Sequence, residues 1–141
     1  VRPDDYQTPL LVAQIYDDLG RPDEGRVARQ RGGALAEDRL ELNPDDVRAT
    51  YMAANGLVAL GEKERGLELT RRAREMGPEE PMLLYNLGCI YALAGDAEEA
   101  LGCLERAVRN GLRQRGWFEH DSNLDSLRGL PRFAAVLDSL P

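Results

Sequence analysis

Positive charge is what this 141-residue chain is short of. Eighteen Lys and Arg stand against 25 Asp and Glu, a net charge of -7, and the pI is near 4.8. A nucleic-acid binder needs a basic face to meet phosphate, and an anionic membrane surface asks for the same. The expectation is therefore no nucleic acid and no membrane. Aromatic residues are scarce at 6%, which leaves Ala, Leu and Gly to pack closely spaced helices. The two cysteines, Cys89 and Cys103, do not make a disulfide framework and point to a reducing cytoplasm. No apolar run approaches the roughly 18 residues needed to span a bilayer. No apolar stretch follows Val1-Arg2-Pro3-Asp4-Asp5 at once, so it is not a signal peptide. Opening on Val rather than Met, the sequence reads as part of something longer, or processed.

What is present is a repeat. Tyr51 and Tyr85, Ala54 and Gly88, Gly61 and Gly95, Leu67 and Leu101, Arg72 and Arg106, Ala73 and Ala107, and Gly77 and Gly111 all stand at one constant interval. The segment from Pro81 to Leu112 reads as two amphipathic helices joined by a turn at Gly95-Asp96. Residues 1–5 read as a disordered lead-in. Apolar residues at Leu11, Val12, Ile15, Tyr16 and Leu19 recur at helical spacing and predict a first helix over 6–19. Gly20 ends it. Pro22 opens a second helix running to about Leu42, two turns longer than the later ones. Matching Tyr16 and Gly20 to Tyr91 and Gly95 makes the first interval longer than the next by seven positions. Seven residues are nearly two turns, so the same face stays inward. Gly32-Gly33 lies inside this helix at a cost of about 1 kcal/mol per glycine. It is read first as a kink or short break, and second as a place where another backbone comes close. Asn43-Pro44-Asp45-Asp46 predicts a helix start, with Asn43 as cap and Pro44 at the first position.

The pattern resembles the tetratricopeptide repeat, whose unit is a helix-turn-helix of about 34 residues. Leu84, Leu87, Gly88, Tyr91, Ala100, Leu104 and Ala107 fall where that family places its packing residues. Thr50, Ala53, Ala54, Leu57, Gly66, Thr70 and Ala73 follow it more loosely. Val12, Ala13, Tyr16 and Gly25 follow it in the first unit, where Pro9 departs. The resemblance implies an all-α fold, a right-handed α-α superhelix of antiparallel helix pairs. A single domain over 1–141 is expected, with repeats at about 6–44, 45–78 and 79–112 and capping helices at about 113–140. Solenoids need an atypical end to cover their last apolar face. Trp117, Phe118, Leu124, Leu127, Phe133 and Val136 are the expected plug. The segment LDSLRGLPRF resembles the end of such arrays in bacterial signalling proteins.

In this family the first helix of each pair lines a concave groove. Carried across, the groove positions are Gln7, Leu10, Gln14 and Asp17, then Arg48, Tyr51, Asn55 and Val58, then Met82, Tyr85, Cys89 and Ala92. Asn86 joins them as an amide donor and acceptor. Tyr51 and Tyr85 would offer an apolar body with a polar tip. Asn55 can grip a peptide backbone, and Met82 adds an adaptable apolar surface. The bland alternative is that the tyrosines merely pack and that Arg48 and Asn55 are merely solvated. The chaperone-binding carboxylate clamp of some relatives is not expected. In one register none of its five positions matches; in the other, Tyr51, Gly116 and His120 replace its cations.

No catalytic residue is read from the sequence. His120, between Glu119 and Asp121, is tied to no nucleophile by any recognisable motif. Three adjacent residues converge poorly on one metal ion, and Gly32-Gly33 lacks the Lys-Ser/Thr of a phosphate loop. Neither metal nor cofactor is expected. The function implied is a non-enzymatic scaffold for a protein or peptide ligand, in a bacterial signalling or regulatory protein. The alternative is a self-association module, joining two copies through the long second helix or near Trp117.

Overall fold

The computed structural model describes residues 2–141. Of the expected lead-in, Val1 lies outside the described residues, and Asp5 closes a turn by donating its N–H to the Arg2 carbonyl at 3.2 Å. The described residues are helical without strands, and the helices pack as sequential pairs, as in the α-α superhelical class. The chain forms two compact units, residues 1–76 and residues 77–141.

The first unit holds α1 (Gln7–Asp18), α2 (Pro22–Leu42), α3 (Val47–Ala59) and α4 (Lys63–Met76). The first three starts have local causes. The Asp5 carboxylate accepts from the Gln7 and Thr8 N–H groups ahead of α1. Pro22 at the first turn of α2 gives up an N–H that had no partner to lose. The α3 cap corrects the sequence reading. Asp46, not Asn43, accepts from the Ala49 N–H at 3.0 Å, because α2 runs on until Asn43 itself closes its C-terminus. Gly20 and Gly61 end α1 and α3 with positive φ, the conformation that glycine adopts without a Cβ clash.

Gly32-Gly33 does not break α2, which stays one 21-residue helix. At Gly32 the second alternative holds. A Cβ there would lie 2.6 Å from Leu10 Cγ and 3.2 Å from the Leu10 backbone nitrogen, whereas nothing approaches Gly33 within 4 Å. The crossing of α1 over α2 is set by that missing side chain. Beyond it, Tyr6, Ala36, Ala49 and Ala53 form a buried core, with Leu35, Leu40, Met52 and Leu69 packed against it. Among the described residues the buried polar side chains are Thr50 and Thr70, and each donates to the carbonyl four residues earlier, at 2.8 Å. Their hydroxyls are thereby satisfied without leaving the helix.

The second unit holds α5 (Pro81–Leu93), α6 (Ala97–Arg109), α7 (Arg115–His120), a 3-10 segment (Ser122–Leu127) and α8 (Pro131–Asp138). Glu80 caps α5 by accepting from the Met82 and Leu83 N–H groups. Asp96 caps α6 through the Glu99 N–H. Gly88 of α5 admits Leu104 of α6, whose Cδ2 would sit 2.8 Å from an added Cβ. The C-terminal segment folds back over α5. Phe118, Leu124, Leu127, Phe133 and Val136 are buried as expected, but Trp117 is not; it stays 39% exposed. Among the described residues no helix is long and apolar enough to cross a membrane.

Candidate functional site

The structure separates the expected groove residues into two groups with different fates. In the first unit, Gln7, Leu10 and Gln14 lie on one face of α1 at helical spacing, and Arg48, Tyr51 and Asn55 on the same face of α3. The two helices touch, and Arg48 Nη1 donates to Gln7 Oε1 at 3.2 Å. Leu10 and Tyr51, and Gln14 and Asn55, stand at the same interval as that bonded pair. One helix therefore sets its register against the next through equivalent positions. Gln7, Gln14, Tyr51 and Asn55 are half-buried and Arg48 is exposed. Leu10 is spent on packing, wedged against Gly32 of α2 with Cδ2 also 3.2 Å from the Cβ position of Gly56.

A charged pocket of about 360 Å³ opens beside Gln7 and Arg48, lined also by Arg2, Asp4, Asp5, Tyr6, Arg39 and Asp46. Arg39 Nε donates to Asp46 at 2.8 Å. Partial burial pushes the Asp46 carboxyl up, but the Ala49 N–H and the Arg39 guanidinium outweigh it and hold it below its ordinary value. Arg48, with a neutral amide as its hydrogen-bond partner, is the cation here best placed to meet an acidic group.

In the second unit the chain's own C-terminal segment covers the expected positions. Tyr85 and Cys89 are buried. The Tyr85 hydroxyl donates to Asp121 at 2.8 Å and lies 3.2 Å from the Trp117 carbonyl. Its ring packs edge-on against Phe118, with centroids 5.2 Å apart. The Cys89 thiol lies 3.6 Å from the same Asp121 oxygen. Burial, followed by the neighbouring Cys89 and Asp121, pushes the Tyr85 hydroxyl far above its ordinary range. Burial and Asp121 do the same to the Cys89 thiol. Both stay neutral and serve as packing and donors. Asn86 donates to the Met82 carbonyl one turn back at 2.9 Å, and Met82 is exposed.

Sequence reasoning places Asp121 beside His120 and misses its tertiary role: it is the acceptor that gathers Tyr85, Cys89 and the Asn123 N–H. The Asp-Ser-Asn signature of a helix cap was the available signal. No cluster of three metal-ligating side chains occurs among the described residues.

Residues 81–110, which are α5, its turn and α6, match the family model of the tetratricopeptide repeat. A relative from Synechococcus sp. (strain CC9311), the Photosystem I assembly protein Ycf3, is 30% identical over 115 residues. The match covers 79% of this chain and 62% of the relative, so the chain spans less than two thirds of that protein's length.

Proposed function

We propose that this tetratricopeptide-repeat chain is a non-catalytic scaffold that holds a protein segment against the α1–α3 face of its first unit. The observation that carries the reading is the Gln7–Arg48 contact at 3.2 Å. It lines up equivalent positions of two adjacent helices, so that Gln14, Tyr51, Asn55 and Arg48 form one polar stripe, half-buried but for the exposed Arg48. Side-chain amides supply both donor and acceptor to an extended backbone, and Tyr51 supplies ring area at little entropic cost. Within the second unit, considered by itself, Met82 and Asn86 remain candidates at the surface, while Tyr85 and Cys89 act beneath it.

The printed role of the relative, an assembly protein, is in keeping with a scaffold that binds other proteins. A place in a bacterial signalling protein, and a cytoplasmic one, rests on the LDSLRGLPRF resemblance and on two buried cysteines in no disulfide. A peptide selected from a displayed random library and titrated by fluorescence anisotropy tests the surface. Tyr51→Ala and Asn55→Ala should each weaken its binding about tenfold, the size of a lost interface anchor. Full-strength binding by both variants, with helicity intact, overturns the assignment.

A further inference from the structure

We propose that the α1–α2 hairpin carries a second, separate surface, on which a second copy of this chain docks with the two α2 helices antiparallel about Val27. This goes beyond the scaffold reading, because the residues involved lie away from the α1–α3 stripe.

The surface is apolar and open. Val27 is 64% exposed. Beside Val27 a cleft of about 570 Å³ runs between α1 and α2, walled by Pro9, Val12, Tyr16 and Ala28. An open cleft with apolar walls and a charged rim of Asp23, Glu24 and Arg31 is suited to an interaction site. The fold also shows what shape fits. Pro9, Val12 and Tyr16 correspond, one repeat on, to Thr50, Ala53 and Leu57. In α3 those three are buried, with Ala53 packed beside Ala36 of α2. This partly exposed face of α1 is thus the face that on α3 receives a helix.

Charge selects which helix. Asp23, Val27 and Arg31 follow one another at four-residue steps, so they share one exposed stripe of α2, acid at one end and base at the other. Among the described residues no ion pair involves Asp23 or Arg31. A twofold axis through Val27 brings each Asp23 to the other copy's Arg31 and stacks the two valines, as a self-complementary interface requires. Parallel docking would put like charges together, and a partner of one sign would satisfy only half of the stripe.

Sedimentation velocity on the full chain over a wide concentration range tests this. A reversible monomer–dimer equilibrium is expected, and Val27→Glu should abolish it with unchanged circular dichroism. Asp23→Arg and Arg31→Asp should each weaken the dimer about tenfold or more. Mixing those two single variants restores both cross-pairs and should recover dimer that neither forms alone. A chain that is monomeric throughout, a dimer indifferent to Val27→Glu, or a mixture no tighter than its components each overturns the proposal. Tyr51→Ala and Asn55→Ala leave α2 untouched, so failure here is distinct from failure of the peptide surface.

Discussion

The Tyr85 hydroxyl reaches 36 residues along the chain to donate to Asp121 at 2.8 Å. Through this contact a residue of α5 holds down the segment joining α7 to the 3-10 turn. Asp121 also starts that turn by accepting from the Asn123 N–H at 3.0 Å. The same carboxylate therefore serves tertiary and local structure together.

Tyr85→Phe keeps the ring against Trp117 and Phe118 and removes only the donor. It should lower stability by about 1.5–3 kcal/mol, the net worth of a hydrogen bond to a charged group. Tyr85→Ala removes the buried ring as well and should cost about 3–5 kcal/mol. Urea unfolding followed by far-ultraviolet circular dichroism separates the two. Equal losses would mean that the ring contributes nothing.

The adjacent glycines of α2 should respond with opposite signs. Gly33→Ala enters open space and should stabilise the chain by about 0.5–1 kcal/mol, the helical advantage of Ala over Gly. Gly32→Ala drives a methyl into Leu10 and should destabilise by about 1–3 kcal/mol despite the same helical advantage. Thermal denaturation of the pair checks this; two stabilising substitutions would sink the packing account.

Asp46 and Glu105 should contribute to acid unfolding. Arg132 holds the Glu105 carboxyl below its ordinary value by donating to it, and Asp46 is lowered by Ala49 and Arg39 despite the opposing effect of burial. A carboxyl lowered by folding stabilises above its unfolded value, 3.8 for Asp46 and 4.5 for Glu105. That stability is lost as pH falls through the lower folded value. Asp46→Asn keeps a good cap but removes the titration. Its melting temperature should fall less than that of the parent between roughly pH 5 and pH 2. Parallel curves would exclude Asp46 as a contributor.

Cys89 and Cys103 are buried and in no disulfide, and burial with Asp121 pushes the Cys89 thiol up. Since the thiolate is the reactive form, iodoacetamide should leave both unmodified in native buffer and alkylate both in urea. Mass spectrometry reads the count. Rapid native labelling of Cys89 would show that the cover over α5 opens readily.

How much of this was legible in advance follows the range of the forces. The turns at Gly20 and Gly95 and the repeat period are local, fixed by φ or by helical spacing. The sequence alone therefore determined that the chain is helical, that its helices pair, and that the long second helix keeps one face inward. Sequence distance hid the rest. Whether Gly32 marks a break or a close approach depends on Leu10, which belongs to the preceding helix. Whether Tyr85 faces a ligand or supports the fold depends on Asp121, and that could be decided only once the C-terminal segment had folded over α5. Nothing near Tyr85 in sequence reports a cover contributed by residues so far downstream, and burial is a property of that cover.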